Sequence, residues 1–199
     1  MRRLLFVAGC AASFAAAQNA DFPSGVYQPI SGGERVTWTV RDTLGLPSLA
    51  GGLVSAGWGT LFDRPPEYGT HALGFAKRYG MRMTGIATES AMEASLGALW
   101  GEDPRYFRDV DAPFGHRLRH VIKFTFFAED RRGELRPAYA RYAAMSGSSF
   151  LSNAWRADSE ADTGHAIERI GLGFLGRLSK NAAIEFWPDI RTRVLRRGR

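Results

Sequence analysis

Thiols are nearly absent from this 199-residue chain, whose one cysteine is Cys10. That residue lies in an apolar run from Leu4 to Ala17, preceded by Arg2 and Arg3. A positive start, a short apolar segment and an A-x-A-like end at Ala15 to Ala17 predict a secretory signal peptide over 1–17, cleaved before Gln18. The apolar segment is too short to span a bilayer. Removal of those residues leaves 182, none of them cysteine, which excludes disulfides and thiol chemistry from the mature chain. The alternative reads Val7-Ala8-Gly9-Cys10 as a lipobox, with Cys10 lipidated and anchored to a membrane.

Lysine is scarce as well, with 3 against 23 arginines. Formal charge is +6, and +4 once Arg2 and Arg3 are removed. Acidic residues stop at Asp189, after which Arg191, Arg193, Arg196, Arg197 and Arg199 form a basic tail over 191–199. Export makes the natural anion of that tail a phospholipid headgroup or lipopolysaccharide phosphate rather than nucleic acid, each basic residue contributing ~1 kcal/mol near an anionic surface. A solvated charge run that aids solubility is the competing reading.

Charge of either sign is missing from Thr43 to Phe62, a length that could cross a bilayer. Gly45, Pro47, Gly51, Gly52, Gly57 and Gly59 dilute its hydrophobicity, so the segment reads as a glycine-rich helix buried in protein or lying at a membrane surface. Before it, residues 18–30 read as an extended or disordered leader, and Ser31 with Glu34 has capping-box spacing for a helix starting near Gly32. Apolar residues at three- and four-residue intervals predict a long helix over about 70–100, begun after Pro65 and Pro66 and broken at Glu102-Asp103-Pro104. A helix over roughly 116–129, wholly buried or embedded at an interface, with a short strand as the alternative, precedes a turn at 131–133. Pro137 fits the first position of a helix running to Trp155, and a last helix over 163–187 would stop at Pro188. These elements predict an all-α single domain over 31–190, of about five helices with glycine-rich contacts. Rows of small residues (Gly51, Ser55, Gly59; Gly80, Thr84, Thr88; Ala140, Ala144, Ser148) suit close helix approach.

Catalytic signals are thin. Gly171 to Gly176 is a literal G-x-G-x-x-G, but it follows a helical pattern instead of a strand, so helix packing and no cofactor is expected. His116 and His120 share a helix face without the glutamate of a zinc protease and beside Arg117 and Arg119, so no metal is expected. Glu89 and Glu93 also share a face, where arginines can pair with them. Ser148 and Ser149 lack the last glycine of a nucleophile elbow, which is Leu151.

Several phrases carry a resemblance: Pro66-Glu67-Tyr68-Gly69, Gly74 to Gly80, Glu102-Asp103-Pro104-Arg105-Tyr106-Phe107, Ser152-Asn153-Ala154-Trp155, and Glu185-Phe186-Trp187-Pro188-Asp189-Ile190. Together they resemble a family of small exported bacterial proteins, over roughly 32–196. The family has no assigned reaction, so the resemblance implies export and a single domain. The sequence thus predicts a structural or interaction protein of the periplasm or outer membrane, associated with a membrane or anionic lipid surface. Trp58, Phe124, Phe127, Trp187, Arg191, Arg193, Arg196 and Arg197 are its interface candidates. The alternative is a hydrolase-type enzyme assembled from Glu89, Glu93, His116 and His120.

Overall fold

A computed structural model describes residues 27–197, with side chains as far as Thr192. The predicted signal peptide, Cys10, residues 18–26 and the side chains of Arg193, Arg196 and Arg197 lie outside the described residues. The chain is all-α, with helices α1 (Gly32–Leu44), α2 (Leu46–Leu61), α3 (Ala72–Trp100), α4 (Phe114–Phe126), α5 (Tyr139–Leu151) and α6 (Thr163–Arg197). The one sheet among the described residues is an antiparallel pair, β1 (Phe127–Glu129) with β2 (Leu135–Pro137). Two compact units divide at Ser90/Ala91, inside α3.

In the first unit, α1 begins where the capping box places it. The Ser31 hydroxyl accepts from Glu34 N at 3.3 Å, and the Glu34 carboxylate accepts from Ser31 N at 2.8 Å. Gly45 separates α1 from α2 and donates its N–H to Arg41 O at 2.8 Å, while Pro47 occupies the first turn of α2. Ser90 on α3 donates to the Asp42 carboxylate at 2.9 Å, tying the long helix back to α1. Two glycines of α2 permit close approach: a Cβ on Gly52 would lie 2.9 Å from the Tyr79 ring, and one on Gly59 2.8 Å from Arg64 O.

Arg78 organises the segment between α2 and α3. Its guanidinium is buried and donates to Arg64 O at 2.7 Å, Pro65 O at 2.7 Å, Gly69 O at 2.6 Å, Thr60 Oγ1 at 3.4 Å and Asp63 Oδ1 at 3.2 Å. Five donors in a rigid fork suit a loop whose carbonyls have no strand to pair with. The Tyr68 ring lies 5.7 Å from the same guanidinium.

In the second unit, the core is Val121, Phe124, Ala128, Ala138, Ala140, Ala144, Met145 and Ala166, most of them small. The row Ala140, Ala144 and Ser148 is buried, as its helical spacing predicts. Helix α4 ends at Phe126 and the chain continues as β1, so the 116–129 segment is both a helix and a short strand. Pro137 closes β2 opposite Phe127 instead of opening a helix. The ladder explains why, because Ala138 N donates to Phe126 O at 3.1 Å and holds the chain extended past the proline.

Helix α6 runs through Pro188 to Arg197 instead of stopping. A proline inside a helix removes one backbone bond and crowds the carbonyls one turn back. Pro188 leaves the Ile184 carbonyl without its helical donor, and the next carbonyl, that of Glu185, accepts from Arg117 Nη2 at 2.5 Å and Arg108 Nη2 at 3.0 Å. Those two arginines hold the turn that precedes the proline.

Candidate functional site

Charge is concentrated inside the second unit, in two networks. In the first, Glu93 on α3 accepts from Arg141 Nε at 2.9 Å and pairs also with Arg177. Arg141, 2 % exposed, donates its remaining fork to Phe124 O, Thr125 O and Phe127 O at 2.8, 3.0 and 3.3 Å. Those are carbonyls at the C-terminus of α4, which have no partner within the helix. Glu102 does the converse for α5, its carboxylate accepting from Ala140 N at 2.9 Å at the positive end of the helix. Burial pushes the Glu102 carboxyl up, and those backbone N–H groups pull it back.

The second network centres on Glu185 of α6, which is completely buried. One carboxylate oxygen accepts from Arg117 Nε at 2.6 Å, and the other from Tyr106 Oη at 2.9 Å and Asp109 N at 3.3 Å. Arg117 also meets Asp189 at 2.5 Å. Because Tyr106 donates to Glu185, its oxygen is the acceptor for His120 Nδ1 at 3.2 Å, which assigns the ring proton to Nδ1. Burial, then the bond to Glu185, holds the Tyr106 hydroxyl far above the ordinary phenol range. Burial pushes His120 down, against the attraction of Glu185 and Asp109. The His120 ring lies stacked 4.3 Å from that of Phe124. With three donors on Glu185, this arrangement holds α4, α6 and the 103–109 segment together.

Glu129 on β1 has a buried oxygen, Oε2, without a hydrogen-bond partner. Burial, then the charge of Asp103, pushes its carboxyl up to about 7. A folded value above the unfolded 4.5 means that folding favours the protonated acid. That stability is complete below pH 4.5 and is lost as pH rises through about 7. Glu129→Gln is expected to raise the denaturant midpoint above pH 7 and leave it nearly unchanged below 4.5. An equal effect at both would overturn this account of Glu129.

Three of the four candidates for catalysis have partners of their own in the second unit. Glu93 is committed to two arginines, His116 Nδ1 to Asp109 at 2.8 Å and His120 to Tyr106, while Glu89 is half-buried one turn before Glu93. Among the described residues, no three His, Cys, Asp or Glu side chains gather as a metal site. The 171–176 glycines lie inside α6, where a Cβ on Gly173 would lie 3.7 Å from Met145 Sδ and a Cβ on Gly171 or Gly176 would meet nothing within 4 Å.

Of the interface candidates, Trp58, Phe127, Trp187 and Arg191 are exposed. Phe124 is a correction: it is 9 % exposed, with Tyr106 and His120 stacked around its ring, because the cluster at Glu185 draws that face of α4 inward. The exposed apolar stripe of α4 is instead Phe114, Leu118, Ile122 and Phe126, four residues apart. Ring contacts of Phe114 with Phe186 at 5.2 Å and Phe126 with Phe174 at 5.4 Å place α6 alongside that stripe. Every exposed residue of α6 between Glu168 and Arg191 is uncharged, including Leu172, Leu175, Trp187 and Ile190.

In the first unit, α2 is inverted relative to a soluble amphipathic helix. Its buried residues are Gly52 and Ala56, while Val54, Trp58 and Leu61 are 73, 67 and 75 % exposed. Val36, Val40 and Leu44 repeat this on α1, where the buried residue is Arg35. Among the described residues no helix is long and apolar enough to cross a membrane. No family model, curated protein or solved structure matches the chain.

Proposed function

We propose that the protein is an exported, membrane-associated structural or interaction protein of the bacterial periplasm or outer membrane. It belongs in this reading with the small exported proteins that its Pro66-Glu67-Tyr68-Gly69, Glu102 to Phe107 and Glu185 to Ile190 phrases resemble. The observation that carries the proposal is the inverted α2, with glycine and alanine toward the protein and leucine, valine and tryptophan outward. Water disfavours that arrangement, since burying one large apolar side chain is worth about 1.5–3 kcal/mol. Lipid favours it, because small residues then let helices pack while large ones meet acyl chains. Large exposed apolar side chains gathered along one helix suit a contact surface. With no helix among the described residues long and apolar enough to cross, α2 lies along the membrane surface in this reading.

The test is flotation of the full chain with neutral phosphatidylcholine vesicles. The protein rises with the vesicles and remains there in high salt, because apolar insertion is not screened. Replacing Trp58 and Leu61 by serine weakens partitioning at least roughly tenfold, given the value of each buried ring or chain. Protein left in the dense fraction, or a double variant that floats equally well, would overturn the proposal.

A further inference from the structure

We infer that α4 is an in-plane membrane helix whose basic edge selects anionic phospholipid. This rests on the membrane reading above but draws on the other compact unit. Helix α4 has 13 residues, too few to span, and its outer surface is divided lengthwise. Phe114, Leu118, Ile122 and Phe126 form the apolar stripe, and Arg119 and Lys123 each follow a stripe residue by one position, so they line its border. Both are exposed, and among the described residues neither is paired with a carboxylate. No acidic residue occurs anywhere in α4.

A protein partner could cover the stripe, but only an anionic one would suit its edge. A bilayer surface supplies both chemistries at the right depths. The stripe enters the acyl boundary, and the long Arg119 and Lys123 side chains reach back to headgroup phosphates. The uncharged outer face of α6 beside the stripe widens the apolar area, with Trp187 and then Arg191 at its end. Aromatic rings followed by a cation match the order of layers at an interface. The inward face of the helix supports the same orientation. Arg117 is taken up by Glu185 and Asp189, so it makes no claim on the outer surface.

Flotation of the full chain with phosphatidylcholine vesicles, and with phosphatidylcholine containing phosphatidylglycerol, tests this. The wild-type chain partitions more strongly to the anionic vesicles. R119Q/K123Q loses roughly 25-fold of that preference, about fivefold per basic residue, while its binding to neutral vesicles is unchanged. Arg119→Lys keeps the preference, since attraction by surface potential needs charge and no bidentate geometry. A double variant that retains the full preference would overturn the inference, as would a wild type that binds both vesicles equally. In either case binding to neutral vesicles leaves the membrane reading standing. A wild type that binds neither would remove both.

Discussion

Glu185→Ala is expected to lower the stability of the folded chain by about 3–5 kcal/mol, the usual cost of leaving one member of a buried ion pair uncompensated. Against a typical total of about 5–15 kcal/mol this is about a third or more of the stability at mid-range, and at the low end it unfolds much of the population. The size follows from what remains. Arg117 keeps Asp189, but its Nε loses its acceptor, and Tyr106 Oη and Asp109 N lose theirs in the same step. Glu185→Gln keeps the volume and one acceptor oxygen and turns an N–H₂ toward donors, for an expected loss of about 1.5–3 kcal/mol. Denaturant midpoints at constant m-value measure both. A loss from Glu185→Ala below about 1 kcal/mol is what an exposed pair gives, and would overturn the buried network as a structural tie.

Arg78→Met comes second, with an expected loss of about 3–5 kcal/mol and a local signature. Methionine fills much the same space and donates nothing, so the carbonyls of Arg64, Pro65 and Gly69 lose their shared donor together. Limited proteolysis between 62 and 70 is expected to accelerate before the rest of the chain opens, because local openings draw on the least stable segment. Arg78→Lys rescues little, since a single ammonium cannot reach acceptors spread around a planar fork. Cleavage rates unchanged in Arg78→Met would remove Arg78 as the organiser of the loop.

The helices were legible in the sequence because their signals are local. Ser31 and Glu34 cap α1 as their spacing predicts, and the apolar periodicity of 70–100 places α3 within two residues at its start. The two proline positions that misled did so through partners far along the chain. Pro137 is held in β2 by pairing with Phe127, and the turn before Pro188 is held by Arg108 and Arg117 through the Glu185 carbonyl. Local propensity contains neither effect.

The site was legible only in disguise. The phrases behind the family resemblance imply export and a single domain, yet many of their polar residues are ties within the fold: Arg78, Glu102, Asp103 and Glu185 are buried, and Arg105, Tyr106 and Asp189 half-buried. Arginine's dominance over lysine has a use inside the fold as well. Arg35, Arg78, Arg117 and Arg141 are buried, where a planar fork can satisfy several carbonyls at once. A pattern of arginine within otherwise apolar helical segments was the available signal. The apolar stripe of α4 escaped notice because Val121, Phe124 and Thr125 merge with it into one continuous run, and only burial separates the two faces.

The small, polar interior changes which mutations the molecule can absorb. An oily core accepts any side chain of suitable volume, with repacking. An interior of guanidinium, carboxylate and carbonyl groups accepts only groups that point correctly, since each bond has a required angle as well as a length. The outward leucines, valines and phenylalanines carry no such angular requirement, because dispersion contacts are non-directional. This protein is therefore written strictly on the inside and loosely on the outside, and its freedom to drift lies in its exposed residues.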